Sequence, residues 1–457
     1  MSAVQQKSSS DEELSNSNRS RTPTGNRSVE ARMGSSERPD RNMKQGQMER
    51  CFERGNVLRA WERVKGNNGA PGIDGMTVEE TAGYLRKHWR RIREELLRGS
   101  YRPEPVREVE IPKPDGGVRK LGIPTVKDRL IQQCILQILQ PEWDSTFHRD
   151  SYGFRPGKSA HQAIRRAQFL VQEGRRWVVD VDLEKFFDRV NHDVLMDRVA
   201  KREQDVRLVR LIRRYLEAGI MTNGVVMERE MGTPQGGPLS PLLSNVMLNE
   251  VDWQLERRGL KFARYADDCN VYVRSKRAAQ RAMLTMSKIT GGLKLKINEK
   301  KSAVAYAWER KFLGFRFWIG KGSKIKCAVS REALEKFKQS VRKRTRRSCG
   351  RSMEQVVEGL SGYLEGWKGY FRVADTNKVF ATLDSWIRRR LRAIKLKQWK
   401  RGTTCYRELV ARSLSQRAAA SIAAGYGSHW KMAGTSGMGI AFSNRYFDEL
   451  GLSRLSV

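Results

Sequence analysis

The pattern of apolar and polar residues divides the chain into a tail, a mixed region and a helical region. Residues 1–47 contain almost no large apolar side chains, so they cannot bury enough surface to offset the entropy of ordering, and we predict a disordered tail. From Met48 onward the pattern is that of a folded protein, beginning with an amphipathic helix over 51–64. After about residue 335 the strand signals stop. Helical patterns then cover 331–345, 353–371 and 377–397.

The middle of the chain mixes strand and helix signals. Two strand-like runs, 106–112 and 118–123, flank a Pro-Asp-Gly-Gly turn and predict a β-hairpin. Residues 177–181 predict a short buried strand that leads into a helix beginning near Glu184. A second hairpin is predicted over 262–273. Together these signals indicate an α+β region followed by an all-helical one.

Further helices are predicted between these strands. Thr77, with Glu80 three residues later, has the pattern of a capping box at the start of a helix. The region before it, 66–75, is a loop rich in Gly and Asn. Two longer helices are predicted over 126–143 and 159–172.

The charge of the chain points to a polyanionic partner. There are 88 Lys and Arg residues against 51 Asp and Glu, a formal net charge of +37. Such an excess repels itself in a compact fold unless an anion neutralises it, and nucleic acid is the usual partner of a strongly basic chain. A basic surface without any chemistry is the alternative that charge alone leaves open.

Cysteine usage and hydropathy exclude several classes of protein. The six cysteines are scattered without a Cys-x-x-Cys pair, which argues against a structural zinc site and a disulfide framework. No run of about eighteen apolar residues could cross a membrane, and the N-terminus lacks an apolar signal core. We therefore expect a cytoplasmic protein with no membrane partner.

Four aspartates stand where strands end. Asp180 and Asp182 close the strand 177–181, and alternation directs both to one face. Asp267 and Asp268 lie at the tip of the hairpin 262–273. Adjacent acids in an apolar hairpin are unfavourable unless a cation neutralises them, and Mg²⁺ prefers oxygen ligands. Each motif alone is equally well explained as a turn, but the two together favour a catalytic metal site.

Several motifs in order resemble those of reverse transcriptases. The Tyr-Ala-Asp-Asp sequence at 265–268 is similar to their catalytic signature, and 182–187 resembles their first catalytic motif. The matching segments between and around these two are Gly-Ile-Asp-Gly at 72–75, Ile-Pro-Lys-Pro-Asp-Gly-Gly at 111–117, Gly-Phe-Arg-Pro-Gly at 153–157, Gly-Thr-Pro-Gln-Gly-Gly-Pro-Leu-Ser-Pro at 232–241 and Phe-Leu-Gly-Phe at 312–315.

The loop at 66–75 and the basic helical region around 361–371 resemble group II intron reverse transcriptase/maturases in particular. This resemblance implies a right-hand polymerase in which fingers and palm with an antiparallel sheet span 48–325, and a helical thumb or maturase domain spans 335–400. A short segment, 401–457, would follow, and its position in the family suggests binding of target DNA. The implied function is an RNA-directed DNA polymerase that also assists intron splicing and mobility.

The resemblance also implies roles for single residues. Asp182, Asp267 and Asp268 would hold the catalytic Mg²⁺ ions, and the carbonyl of Leu183 would complete one ion's shell. Phe187 is at the position of an aromatic steric gate that selects deoxynucleotides, with core packing as its alternative role.

Four further residues are candidates for contact with the incoming dNTP. Lys113 and Arg119 flank the turn of the first hairpin and suit a triphosphate, although solvated surface charge explains them equally well. Gln235 lies in the Pro/Gly-rich loop and is expected near the nascent base pair. Lys301 is the candidate proton donor to pyrophosphate.

Basic side chains in the helical region are candidates for RNA binding. Residues 331–400 carry 19 basic and 7 acidic residues, a surplus of 12 with no matching acids. A solvated helix face is the alternative, but phosphates of intron RNA and of a primer–template duplex fit this surplus better. The candidates are Arg342, Lys343, Arg344, Arg346, Arg347, Arg388, Arg389 and Arg390.

One departure from many relatives is informative. The chain lacks the cysteine pairs and clustered histidines of their C-terminal nuclease domain, so we expect no second-strand DNA cleavage. Two other functions stay open from sequence: a splicing cofactor without polymerase activity, and a reverse transcriptase of another bacterial lineage. The oligomeric state, including a dimer, is also open.

Overall fold

The computed structural model describes residues 46–456 except 113–115, 223–224, 228–229, 235 and 349, and leaves the side chains at 119 and 225 undescribed. All but the last two residues of the predicted disordered tail lie outside this range. Two candidate nucleotide contacts, Lys113 and Gln235, also lie outside it.

Helices and strands alternate in the first part of the chain. The elements in order are α1 (Gln47–Cys51), α2 (Arg54–Asn67), α3 (Val78–Leu97), β1 (Val106–Pro112), β2 (Val118–Ile123), α4 (Val126–Asp144), α5 (Ala160–Gln172), β3 (Trp177–Val181), α6 (Phe186–Arg189), α7 (His192–Ala200), α8 (Val206–Glu217), β4 (Ile220–Thr222), β5 (Val225–Met227), α9 (Ser240–Arg257), β6 (Lys261–Tyr265), β7 (Asp268–Val273) and α10 (Lys276–Gly292).

Four short strands follow, and the rest of the described chain is helical. These elements are β8 (Ala303–Tyr306), β9 (Lys311–Phe312), β10 (Phe315–Ile319), β11 (Ile325–Val329), α11 (Arg331–Arg344), α12 (Met353–Phe371), α13 (Asn377–Gln398), α14 (Gly402–Ala411), α15 (Gln416–Ala424), α16 (His429–Met432), α17 (Ser436–Ala441) and α18 (Asn444–Glu449). The predicted α+β class with a helical C-terminal part is confirmed.

The central sheet is antiparallel and has the strand order β6-β7-β3-β8. Both faces are buried, and alternation along each strand sends neighbouring side chains into different cores. Val179 and Val181 join a core formed with the N-terminal helices, whereas Val178 packs with the C-terminal helices. Asp180 and Asp182 are two and four residues after Val178, so they point to the same face of the sheet as Val178, the face covered by the C-terminal helices.

The predicted hairpin 106–123 forms as expected, with Val109 opposite Leu121. It belongs to a second, mixed sheet of order β2-β1-β4-β5, in which β1 and β4 run parallel. The capping box of Thr77 and Glu80 is also confirmed, because each side chain accepts a hydrogen bond from the backbone nitrogen of the other residue.

Two of the predicted helices differ from the observed ones in where they begin or are interrupted. The helix expected over 51–64 is interrupted. The side-chain amide of Asn56 donates to the carbonyl oxygens of Cys51 at 2.7 Å and Cys134 at 3.0 Å, and so replaces the backbone hydrogen bond that the Cys51 carbonyl would accept in a continuous helix. The helix expected near Glu184 begins only at Phe186. Glu184 donates its backbone N–H to the carbonyl of Lys296 at 2.8 Å, and Lys185 has a φ of 46°.

Candidate active site

Three of the predicted carboxylates meet at one end of the central sheet. Val181 at the end of β3 is paired with Cys269 on β7, so the next residue, Asp182, emerges beside Asp268. Asp267 lies in the turn between β6 and β7. All three line a cavity of about 810 Å³ together with Asp180, and we refer to these four side chains as the acidic cluster. The motifs that are some 85 residues apart in sequence are therefore brought together in the fold.

The carboxylates crowd one another electrostatically. Burial, followed by the charges of Asp180, Asp267 and Asp182, raises the pKa of Asp268 to about 7. Burial also raises the pKa of Asp180, although the guanidinium of Arg310 opposes this with a hydrogen bond of 2.8 Å. Like charges held together in a half-buried site attract a cation.

The donor chemistry of this cluster fits a divalent metal ion. Its groups are carboxylate oxygens, which are the ligands that Mg²⁺ prefers, and the raised pKa of Asp268 marks negative charge that a cation would neutralise. Within the described part of the chain, no group of three or more His, Cys, Asp or Glu side chains is already arranged as a metal site.

A buried arginine that the sequence analysis missed holds the turn with the two aspartates. Arg264 is 1% exposed and makes a two-pronged ion pair with Asp252, at 2.7 and 2.6 Å. Its other terminal nitrogen donates to the carbonyl of Ala266 at 2.8 Å and to the side chain of Asn245 at 3.0 Å. The signal in the sequence was a lone arginine in an otherwise apolar strand.

The segment that contains Gly153 supports the same turn from the other side. Tyr152 donates its N–H to the carbonyl of Arg264 at 2.8 Å, and the amide of Asn245 donates to the carbonyl of Gly153 at 2.9 Å. A Cβ atom on Gly153 would overlap the backbone nitrogen of Ala266. The Gly-Phe-Arg-Pro-Gly motif therefore requires glycine here because two backbones approach closely.

Replacing Gly153 by Ala is expected to displace the turn at 265–268 and to lower the polymerase activity that the motif resemblance implies at least tenfold, since small misplacements of reacting groups have large effects. The free energy of unfolding should fall by about 1–3 kcal/mol from overpacking. Primer extension and urea denaturation measure the two effects. Gly83→Ala is the control, because Gly83 does not have a left-handed backbone and a Cβ there meets no atom within 4 Å. Equal loss of activity in both variants would contradict this role for Gly153.

The loop before β8 holds the backbone of Asp182. Asn298 donates its N–H to the carbonyl of Asp182 at 2.8 Å, and the hydroxyl of Ser302 accepts from the N–H of Asp182 at 3.0 Å. Arg310 joins this loop to the acidic cluster, because it donates to the carbonyl of Lys301 at 2.7 Å as well as to Asp180. Arg310 is a second residue that sequence reasoning missed.

A second cavity, of about 900 Å³, shares part of its lining with the first. Asp182, Leu183 and Asp267 line it together with Phe187 and Lys301. Phe187 is half-buried, packs edge-on against Phe186 at 5.2 Å and accepts the N–H of Thr233 at its carbonyl at 2.7 Å. The two roles considered for Phe187, core packing and a position beside the nucleotide, are therefore compatible.

The structure describes only part of the candidate nucleotide-binding residues in the β1–β2 hairpin. The backbone of Arg119 pairs with Ile111, whereas its side chain lies outside the described part of the structure. Its neighbour Lys120 lines the second cavity and is ion-paired with Glu108 at 2.9 Å.

The candidate RNA-binding residues lie on α11, on the loop after it and on α13. Arg342, Lys343, Arg346 and Arg347 are exposed. Arg389 and Arg390 are half-buried and have internal partners, since Arg389 donates to the carbonyl of Trp430 at 2.9 Å and Arg390 to the hydroxyl of Thr345 at 2.7 Å. These two residues thus also connect helices within the protein.

The C-terminal segment is helical and packs against the same core. Cys405, Leu409 and Phe447 are buried together with Leu391 and Ile394 of α13. None of the described helices is both long and apolar enough to cross a lipid bilayer.

Comparison with known proteins agrees with this geometry. Residues 111–317 match the reverse transcriptase (RNA-dependent DNA polymerase) family, and residues 334–413 match the group II intron, maturase-specific domain. Protein YkfC of Escherichia coli (strain K12) is 35% identical over 275 residues, which are 52% of this chain and 72% of YkfC.

Two further similarities cover smaller shares of the matched protein than the similarity to YkfC does. The group II intron-encoded protein LtrA of Lactococcus lactis subsp. cremoris is 35% identical over 208 residues, which are 45% of this chain and 34% of LtrA. A partial Cas6-RT-Cas1–Cas2 complex aligns over 53% of this chain and 42% of that chain, with 24% identity and a TM-score of 0.36.

The reverse transcriptase and maturase matches follow one another along the chain. The chain belongs to the group II intron reverse transcriptase/maturase family.

Proposed function

We propose that this chain is an RNA-directed DNA polymerase that extends a primer on an RNA template and that also assists the splicing and mobility of a group II intron. The observation that carries the proposal is the convergence of Asp182, Asp267 and Asp268 on one large cavity, with Asp182 and Asp267 also lining a second. A surface with that shape offers room for a primer end on one side and a nucleotide on the other.

The acidic cluster would hold Mg²⁺ through Asp182, Asp267 and Asp268, with the carbonyl of Leu183 as a further ligand. When bound, two such ions supply activation of the primer 3′-hydroxyl and stabilisation of the leaving pyrophosphate. The protein's own contribution is positioning. Arg264 and Gly153 hold the turn that carries Asp267, and Ser302 and Asn298 hold Asp182.

Basic side chains around the cavities suit the phosphates of the substrates. Lys300, Lys301 and Lys311 line the first cavity together with Arg316 and Arg331. Such a surface attracts a nucleic-acid backbone regardless of its sequence. We assign the primer–template to this cavity.

The second cavity is assigned to the incoming dNTP. Phe187 would lie beneath its sugar and exclude a 2′-hydroxyl, and Lys301 would give a proton to the leaving pyrophosphate. Lys113, Arg119 and Gln235 remain proposed contacts to the nucleotide on the strength of the family's motifs.

The helical region is assigned to intron RNA. It contains the maturase-specific match and the exposed residues Arg342, Lys343, Arg346 and Arg347. Double-stranded RNA is bound mainly through phosphates and 2′-hydroxyls, so this surface should recognise shape more than sequence. Target DNA is proposed as a further partner, consistent with a role in intron mobility.

Primer extension on an RNA template with dNTPs, with and without Mg²⁺, tests the polymerase. We expect full-length cDNA from the purified chain only when Mg²⁺ is present, because the acidic cluster needs a cation to bind the triphosphate. Absence of product from protein that is folded and binds RNA would overturn the polymerase assignment.

The maturase-specific match favours one alternative, a splicing cofactor without polymerase activity in the cell. Splicing of a cognate intron by an Asp267→Ala Asp268→Ala variant separates the two activities. If splicing is lost together with polymerisation while RNA binding survives, independent roles are excluded.

A further inference from the structure

A small cavity of about 270 Å³ lies where α11, α13 and α16 meet. Its lining residues are distant in sequence from those of the acidic cluster. Six residues line it: Arg342, Arg347, Trp386, Arg390, Ala393 and Trp430. We refer to this site as the Arg/Trp pocket. Trp430 lies beyond the maturase-specific match, which ends at residue 413, so the pocket joins that domain to the segment that follows it.

The Arg/Trp pocket gathers positive charge without internal compensation. Burial and the neighbouring guanidinium groups of Arg342 and Arg347 lower the pKa of Arg390. No carboxylate in the described part of the chain forms an ion pair with any of these three arginines. Repelling cations that are held around a cavity form a site for an anion, and arginine in particular binds phosphate through paired N–H groups.

The aromatic lining adds a second kind of recognition. Trp430 is 40% exposed and lies on α16, a four-residue helix with no buried residue. Its position is fixed by Arg389, whose guanidinium carbon lies 4.3 Å from the ring centroid and whose nitrogens donate to the Trp430 carbonyl at 3.2 and 2.9 Å. Arg389 lies over one face of the indole, and the ring is still 40% exposed and lines the cavity, where a ligand could contact it.

We propose that the Arg/Trp pocket binds one unpaired nucleotide of RNA, with its backbone phosphate on Arg342 and Arg347 and its base stacked on Trp430. Phosphate-binding arginines beside an exposed aromatic ring are the combination by which proteins hold single-stranded nucleic acid. A volume of about 270 Å³ admits a single nucleotide but no duplex. The inference rests on the proposed binding of intron RNA and adds which structural feature of that RNA is recognised.

Two blunt-ended RNA duplexes, each annealed from two strands and identical except for one bulged nucleotide, test the pocket by equilibrium binding to the full chain. We expect the wild type to bind the bulged duplex more tightly. Trp430→Ala should weaken that binding roughly 5- to 100-fold, as expected for loss of one stacked base, and should not change binding of the fully paired duplex. Trp430→Phe should retain most of the preference, because a ring remains.

Trp318→Ala is the matched control, since Trp318 is also 40% exposed and also has a cation over its ring, Lys326 at 5.5 Å. The proposal is overturned if Trp430→Ala keeps the preference for the bulge, or if Trp318→Ala loses it equally. The Arg342→Ala Arg347→Ala variant should lower the salt dependence of bulge binding, with a slope smaller by roughly 0.7 for each phosphate that the variant no longer binds.

Failure of the pocket and failure of the proposed function give different results. If the wild type binds neither duplex, RNA binding by the helical region is wrong and so is the pocket. If the wild type binds both duplexes but Trp430→Ala leaves the difference between them unchanged, only the pocket is wrong. Primer extension by the same wild-type preparation reports on the polymerase independently of either outcome.

Discussion

Replacing Asp268 by Asn is expected to abolish primer extension and, in the absence of metal, to stabilise the protein. The amide removes a negative ligand from the acidic cluster, and we expect the rate of cDNA synthesis to fall by about three orders of magnitude, the effect of losing several kcal/mol of charge stabilisation. Single-turnover primer extension with saturating dNTP measures this loss. A variant that extends primers at the wild-type rate would exclude Asp268 from the reaction.

The stability effect follows from the raised pKa of Asp268, about 7 against an ordinary value near 3.8. Between these two pH values the folded protein binds a proton that the unfolded chain does not, so stability decreases as pH rises through the window. At pH 8 Asp268→Asn should therefore be more stable by about 1–2 kcal/mol, after allowance for solvent screening. The difference should shrink as pH falls toward 4. Glu62→Gln is the control, because the side chain of Glu62 is exposed and forms no ion pair with the described residues.

Addition of Mg²⁺ should reverse the order of stability. A cation that binds the folded state alone raises its stability in proportion to the logarithm of its concentration, and the wild-type cluster binds it better than the variant. The thermal midpoint of the wild type should then increase with Mg²⁺ and that of Asp268→Asn should increase less. Equal increases would place the added metal elsewhere.

Features set by neighbouring residues were predictable from the sequence. The capping box of Thr77 depends on a residue three positions away, and the pairing of β1 with β2 was predicted from the two strand-like runs that flank a Pro-Asp-Gly-Gly sequence. The carboxylates followed from local motifs as well, because an acid at the end of an apolar strand is visible without knowing the strand's partners.

Features that depend on distant partners were missed for a physical reason. Arg310 stabilises the acidic cluster from 130 residues away in sequence, and nothing near Arg310 indicates that Asp180 is its partner. The interrupted first helix likewise depends on a carbonyl 78 residues from Asn56. Surplus charge on α13 suggested RNA contact for Arg389 and Arg390, but composition could not reveal that both also bind main-chain or side-chain groups of the protein.

Arg264 offers the sharpest test of how the fold positions the carboxylates. Its ion pair with Asp252 is buried on both sides, with side-chain exposures of 1% and 0%. Arg264→Met leaves Asp252 charged and unpaired in the core, and the free energy of unfolding should fall by about 3–5 kcal/mol. Urea denaturation measures this loss. A change below about 1 kcal/mol would mean that the pair is not intact in solution.

The double variant Arg264→Met Asp252→Leu separates stability from positioning. Replacing both charges by apolar side chains removes the unpaired buried carboxylate, so most of the lost stability should return. The carbonyl of Ala266 still lacks the hydrogen bond that Arg264 donates at 2.8 Å, and the turn carrying Asp267 is free to shift. Primer extension should therefore stay at least tenfold below the wild type, since displacements near 1 Å at reacting groups have effects of about a hundredfold. If the double variant regains wild-type stability and wild-type activity together, Arg264 contributes only to the core, and the turn is positioned by the segment around Gly153 alone.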